Sequence, residues 1–122
     1  MALETLLEEL KGIKGYMSSA IMNFTGEMLA SDSSGGTMDL DVVGATFNDI
    51  FRSAHEASGK VGFSAANEMV IQTPNGVIIM LCTGVNEDAH LHLVTVLAKD
   101  GNQALAKLTM EKIGPKAMAE LG

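Results

Sequence analysis

The 122-residue chain fits one domain, residues 1–122, and its 47% hydrophobic content can supply a single core. Eight basic residues are scattered among 15 acidic ones, giving a net charge of −7, so no basic patch exists to bind nucleic acid or an anionic membrane. Residues 1–12 carry acids where a secretory signal needs basic residues, and the longest apolar run is too short to span a bilayer. These features predict a cytoplasmic protein.

The first quarter of the sequence predicts a helix followed by a β-hairpin. Leucines recur at helical spacing within residues 3–10, with glutamates between them, and glycines bracket the end of that helix. Side chains alternate loosely from Tyr16 to Asn23. Phe24-Thr25-Gly26 then supplies a turn before a second strand, Glu27 to Ser31, because Gly26 can adopt positive φ. A flexible loop is expected from Ser33 to Gly36.

A second helix follows, and Asp39 or Asp41 can cap its start. One stripe of this helix is apolar and is predicted to face the core: Val43, Phe47, Ile50, Ala54 and Ala57. The opposite face is polar, with Phe51 at the border between the two. Its residues are Asn48, Asp49, Arg52, His55 and Glu56.

Three further strands and a last helix are predicted in the C-terminal half. Glu68 to Thr73 alternates in polarity, and Pro74-Asn75-Gly76 indicates a hairpin turn, with Asn-Gly suited to the positive φ angles of type I′. Val77 to Val85 is apolar almost throughout, so we expect a central strand covered on both faces. An acidic turn at residues 86–88 leads to the strand His90 to Ala98.

Asp100-Gly101 opens the last helix, about residues 102–121, with Asn102 as its cap. Leu105, Leu108 and Ile113 suggest its buried side, and Pro115 should kink or split it. The element order is therefore α-β-β-α-β-β-β-α. This order predicts an α+β fold in which a five-stranded antiparallel sheet carries helices on both faces.

The three histidines and the single cysteine raise the question of a metal site. His90 and His92 are two residues apart on a predicted strand, so they point to the same face. A zinc site needs three or four converging ligands, and His55 and Cys82 lie on separate elements at no recognisable spacing. The sequence alone therefore favours no metal and no cofactor. No nucleophile motif or paired-carboxylate pattern indicates an enzyme.

Arg52 is the only arginine and could in principle act as an inserted finger on a nucleotide-binding partner. A solvent-facing residue that pairs with Asp49 or Glu56 is the simpler interpretation. Surface recognition remains, because the strand Glu68 to Thr73 is a candidate sheet edge that invites pairing with another chain.

Nearly the whole chain resembles the Roadblock/dynein-light-chain family. The resemblance is carried by the order and spacing of several stretches. They are a leading helix, the hairpin GYMSSAIMNFTGEMLAS, the helix DLDVVGATFNDIFRSAHEASGK, the strand–turn–strand NEMVIQTPNGVIIMLCTG and the closing LHLVTVLAKDGNQALAKL.

The resemblance implies a non-catalytic homodimer that binds a small Ras-like GTPase and modulates its nucleotide cycle, as prokaryotic members do, or serves as a dynein light chain. The resemblance places the dimer interface on the third strand, at Glu68, Val70 and Gln72. The polar face of the second helix, with Phe51 as a possible anchor, is the predicted partner interface: Asn48, Asp49, Phe51, Arg52, His55 and Glu56. Two alternatives stay open: a small-ligand sensor or adaptor, and an enzyme or metal protein that uses His55, His90 and His92.

Overall fold

A computed structural model describes residues 3–33, 39–83 and 90–121. Most of the predicted Ser33–Gly36 loop and the acidic turn at 86–88 lie outside these ranges. The helices are α1 (Leu3–Leu7, continued by a 3-10 turn over Glu8–Leu10), α2 (Leu40–Lys60) and α3 (Gln103–Leu121). The strands are β1 (Tyr16–Asn23), β2 (Met28–Asp32), β3 (Glu68–Thr73), β4 (Gly76–Thr83) and β5 (Leu91–Ala98).

The five strands form one antiparallel sheet in the order β2-β1-β5-β4-β3. The predicted α+β fold, with its element order and both hairpins, is confirmed. The strand β4 lies inside the sheet between β5 and β3, as predicted, but it is only partly buried, and the middle strand β5 is more completely covered. Every residue of β5 except the last is buried, because β1 and β4 flank it and helices cover both of its faces.

The sheet separates two apolar cores. The larger lies under α1 and α3, where Leu7, Leu10 and Ile113 pack with the three leucines of β5. The smaller lies under α2, where Phe51 packs with Met22, Met80 and Val94. Within the described ranges, no helix is both long enough and apolar enough to cross a membrane.

The predicted caps and turns are mostly confirmed. Gly26 has φ of +96°, and the Asp39 carboxylate accepts hydrogen bonds from the first backbone amides of α2. Asn102 Oδ1 accepts from the amide of Leu105 at the start of α3. The β3–β4 turn differs in detail. Its two central residues are Pro74 and Asn75, and neither has positive φ, so it is not type I′.

Helix α3 buries Ile113, as predicted, but not the two leucines that were assigned to the same side. Leu105 and Leu108 are exposed, and the buried residues are Ala106, Met110, Ile113, Gly114 and Ala117. Small residues let this helix approach the sheet closely, since a side chain at Gly114 would meet Thr83. The helix also continues through Pro115 without being split. Glycine before that proline removes the Cβ that would clash with its ring.

Helix α2 also buries a face that differs from the predicted one. The buried positions are Leu40, Gly44, Asn48 and Phe51, one residue on from the predicted stripe. One residue corresponds to a rotation of about 100° around the helix axis. Ile50 and Ala57, which were expected in the core, are exposed, and Val43, Phe47 and Ala54 are only partly buried.

A candidate binding surface and a histidine–cysteine cluster

Because α2 buries a different face from the predicted one, the six residues assigned to the partner interface are not all exposed. Asp49, Arg52 and Glu56 are exposed, and His55 is partly buried. Asn48 and Phe51 are completely buried against the sheet, so the prediction that they belong to an exposed face is wrong. Phe51 cannot anchor a partner from this position, because its ring packs among Met22, Met80 and Val94.

An open depression of about 540 Å³ lies beside α2. Its wall is formed by the exposed charged residues of the helix, Asp49, Arg52 and Glu56, together with Ser53. Phe24, from the turn that links β1 to β2, lines the other side, and its ring stacks on His90 with 5.2 Å between centroids. The three histidines of the sequence, His55, His90 and His92, also line this depression.

The histidines converge with the single cysteine. His55 comes from α2, Cys82 from β4, His92 from β5 and His90 from the residue just before β5. One nitrogen of each imidazole and the Cys82 Sγ all lie within 4.8 Å of one another. We refer to these four residues as the histidine–cysteine cluster.

Strand register places three of the four members on one face of the sheet. Cys82 and His92 are direct partners in the β4–β5 ladder, and His90 lies two residues before His92, so all three side chains point to the α2 face. The Cys82 Sγ and the His90 Nε2 are 2.7 Å apart. The fourth member, His55, lies one helical turn after Phe51 and therefore on the face of α2 that packs against the sheet.

Asn48 sets the proton position on His92. Its amide Nδ2 donates to the carbonyl oxygen of Phe24 at 3.0 Å, so its Oδ1 is the atom that faces the Nδ1 of His92, 2.5 Å away. An amide oxygen can only accept, so Nδ1 of His92 must carry the ring proton. The Nε2 of His92 therefore holds a free lone pair, directed away from Asn48.

Several ring nitrogens in the cluster have no hydrogen-bond partner. Among the described residues, neither nitrogen of His55 nor the Nε2 of His92 finds a donor or acceptor, although all three atoms are shielded from solvent. Buried polar atoms are normally paired, since each unpaired one costs about 1–3 kcal/mol. The unpaired nitrogens belong to residues of one cluster, so an ion bound by that cluster would account for the Nε2 of His92 and for one of the two nitrogens of His55.

Burial keeps the cluster electrically neutral. Desolvation lowers the pKa of His92 to about 3, with smaller contributions from His90, His55 and Arg52. Desolvation also lowers the pKa of His55 and of His90, and it raises the pKa of the Cys82 thiol to about 11. Near pH 7 the four side chains are therefore three neutral imidazoles and one thiol.

Sequence reasoning missed this cluster because its members lie on separate elements. A signal was present, since His55 follows Asn48 and Phe51 at helical spacing and so shares their face. This signal was missed because the face that carries these residues was predicted to be exposed to solvent. The pairing of Cys82 with His92 depends on where the β4–β5 connection begins and ends, which the sequence does not specify.

The residues assigned to the dimer interface lie on β3, which is an edge strand of the sheet. The amide of Cys82 donates to the carbonyl of Asn67, which makes that pair a hydrogen-bonded pair of the β3–β4 ladder. Hydrogen-bonded and non-hydrogen-bonded pairs alternate along antiparallel strands. The backbone N–H and C=O groups that point outward from β3 are therefore those of Glu68, Val70 and Gln72.

Comparisons with known proteins identify the fold. No protein-family model matches the sequence, and no curated protein sequence does. The chain is similar to a Roadblock/LC7 domain from Streptomyces avermitilis, with a TM-score of 0.84 at 13% identity over 99% of this chain and 98% of that one. It is also similar to Myxococcus xanthus MglB, with a TM-score of 0.83 at 10% identity over 98% and 94% of the two chains. For MglC from the same organism the TM-score is 0.66 at 23% identity, over 98% and 99%.

At these identities the likeness is one of fold, and it agrees with the fold implied by the sequence resemblance. The chain has the α+β fold of the Roadblock/LC7 domains.

Proposed function

We propose that this chain is a non-catalytic homodimer that binds a small Ras-like GTPase and modulates its nucleotide cycle. The fold and the sequence resemblance both support a Roadblock-type regulator. The observation that carries the proposal is an apolar stripe of α2 that the chain's own residues leave partly uncovered: Val43, Phe47, Ile50 and Ala54. A helix with a partly uncovered apolar stripe is suited to pairing with another chain.

The exposed stripe and the β3 edge support the dimer. Ile50 is 44% exposed, and Val43, Phe47 and Ala54 are only partly covered by the chain's own residues. Apolar side chains in such a row gain about 25 cal/mol for each Å² that a partner removes from water. On β3, the outward backbone groups of Glu68, Val70 and Gln72 are available to pair with the same strand of a second copy. A symmetric dimer would use both features, with its α2 helices adjacent.

The charged rim supports the partner surface. Asp49, Arg52 and Glu56 are exposed along one side of α2, next to the depression. In a dimer with adjacent α2 helices, two such rims would flank one broad groove. Recognition interfaces combine apolar contacts with a polar rim of this kind, and a few residues usually dominate the binding energy.

Arg52 serves as a rim residue in this proposal and not as a catalytic finger. Arg52→Ala should weaken binding to a GTPase by about 1 kcal/mol and leave turnover in the saturated complex nearly unchanged. Loss of a finger would instead reduce turnover by about 10³-fold or more at similar affinity. Lys112→Ala, which removes an exposed cation from α3 on the other side of the sheet, is the matched control.

The test uses purified Ras-like GTPases from the source organism, loaded with GTP or with GDP. Calorimetry measures binding, and phosphate release and nucleotide exchange are measured at saturating concentrations of this protein. The proposal expects one GTPase to bind and its hydrolysis or exchange rate to change. Binding without any change in either rate would favour a structural adaptor. If binding survives alanine substitutions at Asp49, Arg52 and Glu56 together, the recognition surface lies elsewhere.

A further inference from the structure

The histidine–cysteine cluster has the composition of a transition-metal site. It gathers all three histidines and the only cysteine of the sequence on the α2 side of the sheet. Imidazole nitrogen and cysteine sulfur are the protein ligands that Zn²⁺ prefers, and four of them complete a tetrahedral shell. Buried ring nitrogens are normally hydrogen-bonded. Here three ring nitrogens have no hydrogen-bond partner among the described residues.

We propose that His55, Cys82, His90 and His92 bind one Zn²⁺-class ion with tetrahedral coordination. Nothing in this proposal depends on the GTPase partner, because it rests on the cluster alone.

The spacing of the ligand atoms is close to what such an ion requires. Bond lengths of about 2.0–2.3 Å at tetrahedral angles place neighbouring ligand atoms about 3.3–3.6 Å apart. The four candidate atoms lie within 4.8 Å of one another, and Cys82 Sγ lies 2.7 Å from His90 Nε2. Side-chain rotations that move individual atoms by about 1 Å would open that contact and close the longest one.

The surroundings of His92 are those of a metal-binding histidine. Its Nδ1–H donates to Asn48 Oδ1, which fixes the tautomer and leaves the Nε2 lone pair for the ion. Metal-bound histidines almost always donate a hydrogen bond from the N–H of their second ring nitrogen to an oxygen acceptor in this manner. Asn48 is itself fixed by its bond to the Phe24 carbonyl, so it is a positioning residue that contacts no ion.

The ligands themselves would supply a negative charge to the ion. Metal binding releases the Cys82 thiol proton to solvent and forms a thiolate–metal bond, so the four ligands contribute one negative charge. The adjoining depression carries two carboxylates, Asp49 and Glu56, against one cation, Arg52. The divalent ion and its thiolate would together carry one net positive charge, and the lining of the depression carries one net negative charge. Four protein ligands leave no open coordination position for a substrate, so the site would not catalyse a reaction. Its role would be structural, since the ion would link α2 to β4 and β5.

The test uses the full, untagged chain after treatment with a chelator. Co²⁺ serves as the spectroscopic probe, because tetrahedral Co²⁺ shows visible d–d bands and a bound thiolate adds a charge-transfer band in the near ultraviolet. We expect one Co²⁺ per chain, displaced by one Zn²⁺. Cys82→Ser should abolish the charge-transfer band, and His55→Ala should weaken Zn²⁺ binding by about 100-fold or more, since it breaks the four-ligand shell.

Two further variants separate the site from general disruption of the fold. Ser53→Ala removes a polar side chain from the same depression and should leave metal binding unchanged. Asn48→Leu should weaken binding by about 10–100-fold through the orientation of His92. Circular dichroism checks that each variant is folded. His55 is only partly buried, so its removal leaves the core intact. The proposal is overturned if Co²⁺ gives no thiolate band, or if Zn²⁺ binds equally well to wild type, Cys82→Ser and His55→Ala.

Discussion

The buried amide of Asn48 joins three parts of the molecule: helix α2, the β1–β2 turn through the Phe24 carbonyl, and strand β5 through His92. Asn48→Leu tests how much this connection contributes to stability. Leucine has the branching of asparagine without its donor and acceptor, so the substitution removes both hydrogen bonds, and its bulkier methyl groups add to the cost.

The expected loss of stability is the sum of the costs for the two groups that would lose their hydrogen bond to Asn48. His92 is fully buried, and its Nδ1–H would have no acceptor among the described residues, which costs about 1–3 kcal/mol. The Phe24 carbonyl lies in a partly buried position and would lose its bond to the amide, at about 1 kcal/mol. The free energy of unfolding should therefore fall by about 2–4 kcal/mol.

Urea denaturation followed by circular dichroism measures this loss. It should be done with a chelator present and at one fixed protein concentration, because metal binding and dimerisation both add apparent stability. Asp49→Ala, at the neighbouring exposed position, is the control and should change stability by less than about 0.5 kcal/mol. If Asn48→Leu costs less than 1 kcal/mol with an unchanged m-value, the hydrogen-bond network does not stabilise the fold in the way described.

Two other predictions concern the sheet. Val70→Pro removes an N–H that points outward from β3 and none that the β3–β4 ladder uses, so a dimer paired through β3 should dissociate while the monomer stays folded. Light scattering at micromolar concentration should give twice the 12.8 kDa chain mass for wild type and for Val70→Thr, and the single mass for Val70→Pro. A monomeric wild type, or a dimeric proline variant, would contradict this. Burial, followed by the hydrogen bond to Asp32, raises the pKa of Tyr16, whose hydroxyl lies 2.6 Å from that carboxylate. Since the folded state holds the proton more tightly, stability is complete below pH 10 and falls as pH rises above it. Tyr16 is the only tyrosine and tryptophan is absent, so tyrosinate absorbance reports this group alone. A midpoint at or below pH 10 in the folded protein would refute the shift, and Tyr16→Phe should remove its part of the alkaline loss of stability.

The sequence by itself determined the local elements of this protein. Residue preferences at turns and caps act over a few neighbours, so Gly26, Asp39 and Asn102 could be read without knowledge of the fold. The order of helices and strands followed from apolar periodicity, and with the family resemblance it was sufficient for the architecture.

The tertiary structure decided which face of each helix is buried. Two neighbouring stripes of α2 are compatible with burial, and the sheet selects the one that contains Gly44 and Phe51. A side chain at Gly44 would meet the Met22 and Met28 side chains, so glycine allows the close approach that brings this face onto the sheet. The same requirement for small residues turns Leu105 and Leu108 of α3 outward.

The histidine–cysteine cluster depends on both kinds of tertiary information. The β4–β5 register places Cys82 beside His92, and the rotation of α2 brings His55 over them. Neither quantity is encoded in residues close to these four in sequence. Register and helix rotation are set by the packing of the whole sheet and its two cores, so only the assembled fold could show that these side chains meet.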